Sequence, residues 1–320
     1  MTLLFDLALV AWLIALAGHI AMTREDRNAI VAFIAFGLLL GLAWVRLSAL
    51  DVALTEVAIG GGVTGVLLLS AEAHLRKPLA QDSAQDRPHD GRRRLGNVGT
   101  IAAALASAAV TAGLALAVLA LPTPAPTLAP VAAAALDTTG LGNPVTAVLL
   151  AYRALDTLLE KVVLLLALVG VWSLAPDRTW GGAPSLAPAV APEPLVYLAR
   201  VLPPIGVVIA VYMFWVGADA PGGTFQAGTV LAAMWLIVML AGLRQPPDTA
   251  HRVLRLLLVG GPALFLAVGF LGFFIADGFL SYPEPIAKPL ILGIEAALTL
   301  SIAATLAMLV AGPAQKAPEP

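Results

Sequence analysis

Apolar residues in this chain gather into blocks of about 20, separated by short polar or proline-rich joints. The blocks fall at 3–22, 28–46, 50–72, 98–121, 157–175, 196–217, 224–243, 255–276 and 288–311. Roughly 20 helical residues cross a hydrocarbon core of about 30 Å, so the pattern predicts an all-α, polytopic membrane protein with about nine transmembrane helices. A transmembrane barrel would show short alternating segments instead of solid blocks. The fourth block runs into Pro122, Pro124, Pro126 and Pro130, and a proline removes a backbone donor and clashes with the preceding turn. That helix should end near Leu121.

The 320 residues are 60% hydrophobic and 12% charged, with a mean hydropathy of +0.92, which excludes a water-soluble fold. A net charge of -2 argues against a nucleic-acid partner. With no cysteine there are no disulfides, iron–sulfur clusters or thiolate metal sites. His19, His74, His89 and His251 lie on separate segments, so no histidine metal cluster and no cofactor are expected. Met1 to Phe5 has no basic residue and Asp6 opens the first block, which is unlike a cleaved signal peptide, so this helix should remain.

Positive charge sets the orientation. With the loop between the third and fourth helices inside, Arg24, Arg27, Arg76, Lys77, Arg87, Arg92, Arg93, Arg94, Arg178, Arg244, Arg252, Arg255 and Lys316 are all cytoplasmic, thirteen of the 18 basic residues. The N-terminus is then outside and the C-terminus inside, in a bacterial inner membrane, and an odd number of crossings follows. Residues 73–97 read as a basic cytoplasmic loop beside anionic lipid headgroups. Residues 176–194 read as a Pro/Ala linker that need not fold. The chain divides into a three-helix module at 1–97, a two-helix module with a lateral amphipathic helix at 98–175, the linker, and a four-helix module at 195–320. No fixed-period repeat supports a solenoid or an inverted-repeat transporter.

Ionisable residues inside apolar blocks carry the chemistry, since each costs roughly 2.5–3.5 kcal/mol at mid-bilayer and normally faces protein, partner or water. In the third block Asp51 lies at the outer end and Glu56 about 7–8 Å deeper. Gly60, Gly61 and Gly62 follow at once and weaken the helix, which suits a π-bulge or local unwinding. A carboxylate beside a deformable helix fits a proton or sodium relay; the bland alternative is close packing of a neighbouring helix over the glycines. Arg153, Asp156, Thr157 and Glu160 fall at i, i+3, i+4 and i+7, one helical face leading into the fifth span, with Asn143 and Pro144 as N-cap and first residue. Lys161 is a candidate proton exchanger or a snorkelling side chain. Glu295 interrupts the ninth block, and Pro221, Gly222, Gly223 and Gly228 mark a tight turn and a close-packed helix start, read first as packing.

At these motifs the chain resembles Mrp-type multisubunit sodium/proton antiporters. DVALTEVAIGGGVTGVLLL looks like the small membrane domain at the C-terminal end of their large A subunit, a domain that stands as a separate subunit in related membrane-bound hydrogenases. NPVTAVLLAYRALDTLLEKVVLL resembles the module after it, and residues 196–311 with DAPGGTFQAGTVLAA resemble the B subunit of the same antiporters. The resemblance implies a π-bulge in the third helix, and it matches Glu56, Asp156 and Glu160 to acidic positions in cation or proton passage. Ala154 and Leu159 replace glycines usual there, Lys161 is an addition, and Thr224 and Ala227 stand where glycine is common. The resemblance implies an accessory antiporter subunit, not an enzyme. It would work with large antiporter-like and small membrane subunits, with Na+ and H+ as transported ions and membrane lipid around it. The alternative is the ion-pumping membrane subunit of a hydrogenase-like or complex I-like redox complex.

Overall fold

A computed structural model describes residues 2–82, 97–124, 126–186 and 191–317. Arg87, Arg92, Arg93 and Arg94 of the expected basic loop lie outside the described residues. Among those described the structure is helical, with no strand. In chain order, α1 is Thr2–Met22, α2 Asp26–Arg46, α3 Leu50–Glu56, α4 Thr64–Asp82, α5 Asn97–Leu119, α6 Ala129–Ala134, α7 Leu136–Thr139 and α8 Pro144–Ala147. After them come α9 Ala154–Trp172, α10 Glu193–Val216, α11 Thr224–Leu240, α12 Arg252–Ile275 and α13 Ala287–Ala311.

Seven stretches among the described residues are long and apolar enough to cross a membrane: Leu3–Met22, Asp26–Arg46, Leu50–Ala73, Val98–Leu119, Glu193–Val216, Arg252–Ile275 and Glu284–Ala311. The other two expected spans are also helices. However, α9 carries Asp156, Glu160 and Lys161 in its first turns, and α11 is only 17 residues long. The third helix does not stop near residue 72 but continues to Asp82.

The chain forms two compact units, one of residues 1–72 and 135–320, the other of residues 73–134. In the smaller, α5 buries none of its span. In the larger, α13 is the axis, with 67% of its span buried. Ile291, Ile294, Leu298, Ile302 and Met308 are wholly enclosed, beside Phe265 of α12. Small residues permit this closeness: a Cβ at Gly261 of α12 would lie 2.9 Å from the Ala297 carbonyl oxygen of α13, and one at Gly228 of α11 would lie 2.8 Å from Ile302 Cγ2. By contrast, α1 packs on α2 at the rim, pinned by an Asp6–Arg46 ion pair at 2.7 Å.

The connections gather at opposite ends of the larger unit. Ser48–Asp51, Gly142–Asn143 and Asp219–Pro221 meet at one end. At the other, the first half of the proline/alanine stretch is packed. Thr249 N–H donates to the Gly182 carbonyl at 3.1 Å and Ala250 N–H to that of Gly181 at 2.9 Å. The Gln315 and Lys316 N–H groups both donate to the Ala183 carbonyl, at 3.0 and 3.1 Å. Thr179 Oγ1 donates to the Ala314 carbonyl at 3.1 Å, and Pro184 is fully buried. A segment with little side-chain mass is held by its carbonyls, which find donors at this end of the bundle.

Candidate functional site

The three glycines of the third helix lie in a π-helical turn, Val57–Val63, that joins α3 to α4 and rotates the helix past the point where an α-helix would place it. Gly37 of α2 packs on this turn so closely that a Cβ there would sit 3.0 Å from Gly61 N. Glu56 is half-buried, and its carboxylate reaches forward along its own helix to Gly60, where a Cβ would collide with it. The glycines therefore serve both expectations: they deform the helix and they admit a neighbour.

A second π turn, Val148–Tyr152, breaks the expected lateral helix. Asn143 caps α8 by accepting the Val145 N–H at 2.9 Å, with Pro144 in the first position. Thr157 Oγ1 then donates to the Leu149 carbonyl at 2.6 Å, closing the turn, and Arg153 leaves helical geometry at φ -128° and ψ 37°. Arg153, Asp156, Thr157 and Glu160 thus do not form one continuous stripe, because Arg153 lies at the break and α9 starts after it. Arg153 instead pairs with Asp156 at 2.5 Å, both well exposed.

Asp51 joins the loops that meet at one end of the larger unit. Its Oδ1 accepts from Gly222 N–H at 3.0 Å and from Asn143 Nδ2 at 3.4 Å. Asn143 Nδ2 also donates to the Gly217 and Ala220 carbonyls, each at 3.1 Å. Gly223 adopts φ +119°, which favours glycine, and a Cβ on Gly222 would lie 2.6 Å from the Met213 carbonyl oxygen. The turn opened by Pro221 can therefore present its backbone N–H to Asp51 only with glycines at its corner. Nearby, Lys288 Nζ donates to both Asp219 oxygens at 2.6 and 2.8 Å, holding that carboxyl below its usual range. Tyr282, between α12 and α13, is pushed up by burial.

Below this clasp lies a chamber of about 350 Å3 between α3, α8, α9, α11 and α13. Lys161 and Glu295 both line it, at 4% and 2% exposure. Lys161 Nζ is 3.3 Å from Glu160 Oε1 and 4.2 Å from the Phe225 ring centroid, an ammonium over an aromatic face. Glu295 Oε1 accepts from Thr224 Oγ1 at 2.9 Å, while its buried Oε2 has no hydrogen-bond partner. Gln226 Nε2 donates to Thr55 Oγ1 at 3.0 Å and to the Asp51 carbonyl at 3.3 Å, tying α11 to α3.

The structure thus brings Asp51, Glu160, Lys161 and Glu295 to one space with Gly222 and Gly223. Glu56, Asp156 and Gly60 to Gly62 are not among its lining residues, although Thr55, next to Glu56, is. Gly228 faces α13 as a packing glycine. Phe225 was not singled out by sequence; its signal was position, in the first turn of a helix opened by a glycine corner. Among the described residues, no group of three or more His, Cys, Asp or Glu side chains is placed to hold a metal ion.

The fold and the chamber define a polytopic helical membrane component built from joined modules. Residues 11–77 match the family described as MbhD, the D subunit of MBH, and residues 194–314 match a domain related to the MnhB subunit of Na+/H+ antiporter. The chain thus carries an MbhD-like region followed by a region related to MnhB. Its fold is similar to a chain in the Mrp complex from Dietzia sp. DQ12-45-1b, with a TM-score of 0.59 and 24% identity. That match covers 98% of this chain and 35% of the other, so the protein spans about a third of that chain's length. It is also similar to a chain of the membrane-bound sulfane sulfur reductase (MBS), an archaeal respiratory membrane complex, with a TM-score of 0.56 and 23% identity over 67% of this chain and 97% of the other. No curated protein sequence matches significantly.

Proposed function

We propose that this protein is an accessory component of a multisubunit monovalent cation (Na+)/proton antiporter in a bacterial inner membrane, a transport protein and not an enzyme. The observation that carries this reading is the shared chamber. Glu160 and Lys161 from the region after the MbhD match, and Glu295 from the MnhB-related region, face one buried space in a chain otherwise built for lipid. Buried charges in a membrane protein mark ion or proton pathways. Glu56, on its π turn beside Thr55, is the central titrating group. Asp156 and Glu160 border the adjoining path, and Asp51 fixes the outer wall.

The spans number nine, with the N-terminus outside and the C-terminus inside, and the modules run 1–97, 98–175 and 195–320. The gathering of alternate connections at opposite ends supports this threading. Large antiporter-like subunits and small membrane subunits complete the path.

The test is sodium-dependent proton flux in everted vesicles holding the whole complex, comparing wild type with Glu56→Gln. Exchange should be abolished while the complex still assembles. Normal exchange in that variant removes Glu56 from the path.

A further inference from the structure

We propose that the chamber between α9 and α13 is a proton-transfer site and not a metal-cation site, with the Lys161 ammonium as its resident cation and water linking it to Glu295. The inference rests on the antiporter reading for its place in transport, but its chemistry stands on the chamber itself.

The site is built from both regions of the chain. Glu295 is 2% exposed and lines the chamber, and its Oε2, itself enclosed, has no hydrogen-bond partner in the protein. A buried polar atom in that state needs water or an ion. The chamber, at about 350 Å3, has space for on the order of ten waters at roughly 30 Å3 each. From α9, Glu160 and Lys161 face it, and from α3, Asp51; among the described residues, α10, α11 and α12 bring no ionisable side chain to it.

A positive charge already occupies the space. Lys161 is 4% exposed, with Glu160 Oε1 at 3.3 Å and the Phe225 ring at 4.2 Å. The aromatic face and the acidic partner are the two features that would attract a free cation, and the tethered ammonium uses both. A sodium ion entering would meet a like charge in a poorly screened interior. The carboxylates are also divided, since Asp51 Oδ1 is spent on Gly222 and Asn143 while Glu295 Oε1 is held by Thr224.

A proton meets neither obstacle. The resident Lys161 ammonium passes its proton to Glu160, whose half-exposed side chain leads out of the chamber. A protonated Glu295 then releases its proton to a chamber water, which returns one to the Lys161 amine. The products are a Glu295 carboxylate, a restored Lys161 ammonium and a protonated Glu160, so charge and protons balance. Thr224, donating to Oε1, leaves Oε2 as the oxygen that carries the proton.

Infrared difference spectroscopy of the purified complex tests this. The carboxyl band of Glu295 is identified by its loss in Glu295→Gln, then followed through a pH titration and through replacement of choline by sodium at fixed pH. The band should respond to pH and not to sodium, and Lys161→Met should move its midpoint by at least about one pH unit, tenfold in proton concentration. A sodium-induced change, or a midpoint unmoved by Lys161→Met, overturns the inference. Lys161→Arg keeps a cation that does not release its proton at these pH values, which guards against misfolding of the Met variant. It should assemble normally and lower proton flux at least tenfold, and undiminished flux overturns the inference too. If wild-type complex shows no sodium-dependent proton flux, the antiporter reading fails, while the response of the Glu295 band to sodium and to Lys161 still decides this one.

Discussion

Replacing Asp51 by alanine removes one oxygen that serves two donors from distant parts of the chain. Asn143 keeps two carbonyl acceptors, Gly217 and Ala220. The Gly222 N–H, which is buried and 3.0 Å from Asp51 Oδ1, loses its acceptor. One orphaned buried donor costs about 1–3 kcal/mol, so a loss near 2 kcal/mol is expected. At roughly 2–4 °C per kcal/mol for a chain of this order of size, the melting temperature should fall by about 4–8 °C. Asp51→Asn keeps an amide oxygen as acceptor and should cost less than about 1 kcal/mol. Intrinsic tryptophan fluorescence during a thermal ramp reports the transition, since the chain holds six tryptophans. If Asp51→Ala melts with wild type, or if the asparagine variant falls as far as the alanine one, the clasp does not hold these loops together.

Gly261→Ala places a methyl 2.9 Å from both the Ala297 carbonyl oxygen and Leu298 Cα, backbone that cannot rotate aside. It should destabilise by about 1–3 kcal/mol, read as a lower melting temperature, whereas alanine at Gly170, where no atom lies within 4 Å, should not. The Asp219–Lys288 pair gives a pH signature. Its carboxyl is depressed, so its contribution is complete above the unfolded value of about 3.9 and disappears as pH falls through the lower folded one. Because both side chains are substantially exposed, the stabilisation is at most about 1 kcal/mol. Asp219→Asn should thus lower the melting temperature slightly at neutral pH and not at strongly acid pH, and a difference that persists in acid would contradict the assignment.

Local chemistry made much of this protein legible in advance. Three consecutive glycines after Glu56 announced a deformable helix, and the π turn is there. Asn143 before Pro144 announced a helix start, and the cap is there. What the chain order concealed was distance: the bonds from Asn143 and Gly222 to Asp51 span 92 and 171 residues, and no pattern within a window of about 20 contains them. The second π turn was hidden because VLLAY has no glycine, and its geometry is set by Thr157 reaching back eight residues to Leu149. The first half of the proline/alanine stretch read as free because composition registers side chains, while most of its anchoring is by the carbonyls of Gly181, Gly182 and Ala183. Glu56 and Glu295 looked alike as acids in apolar blocks, yet only tertiary packing puts one in the chamber and leaves the other beside it.

The anchored stretch before α10 also bears on assembly. Ala183 is fixed to the chain's own Gln315 and Lys316, so the α9 side of the chamber reaches the MnhB-related region already tethered. A short tether raises the effective concentration of one face for the other to the millimolar range, where two free proteins would have to find each other in the membrane. Expression imbalance between the two regions is impossible in such a chain, and the chamber that joins them forms once per polypeptide made.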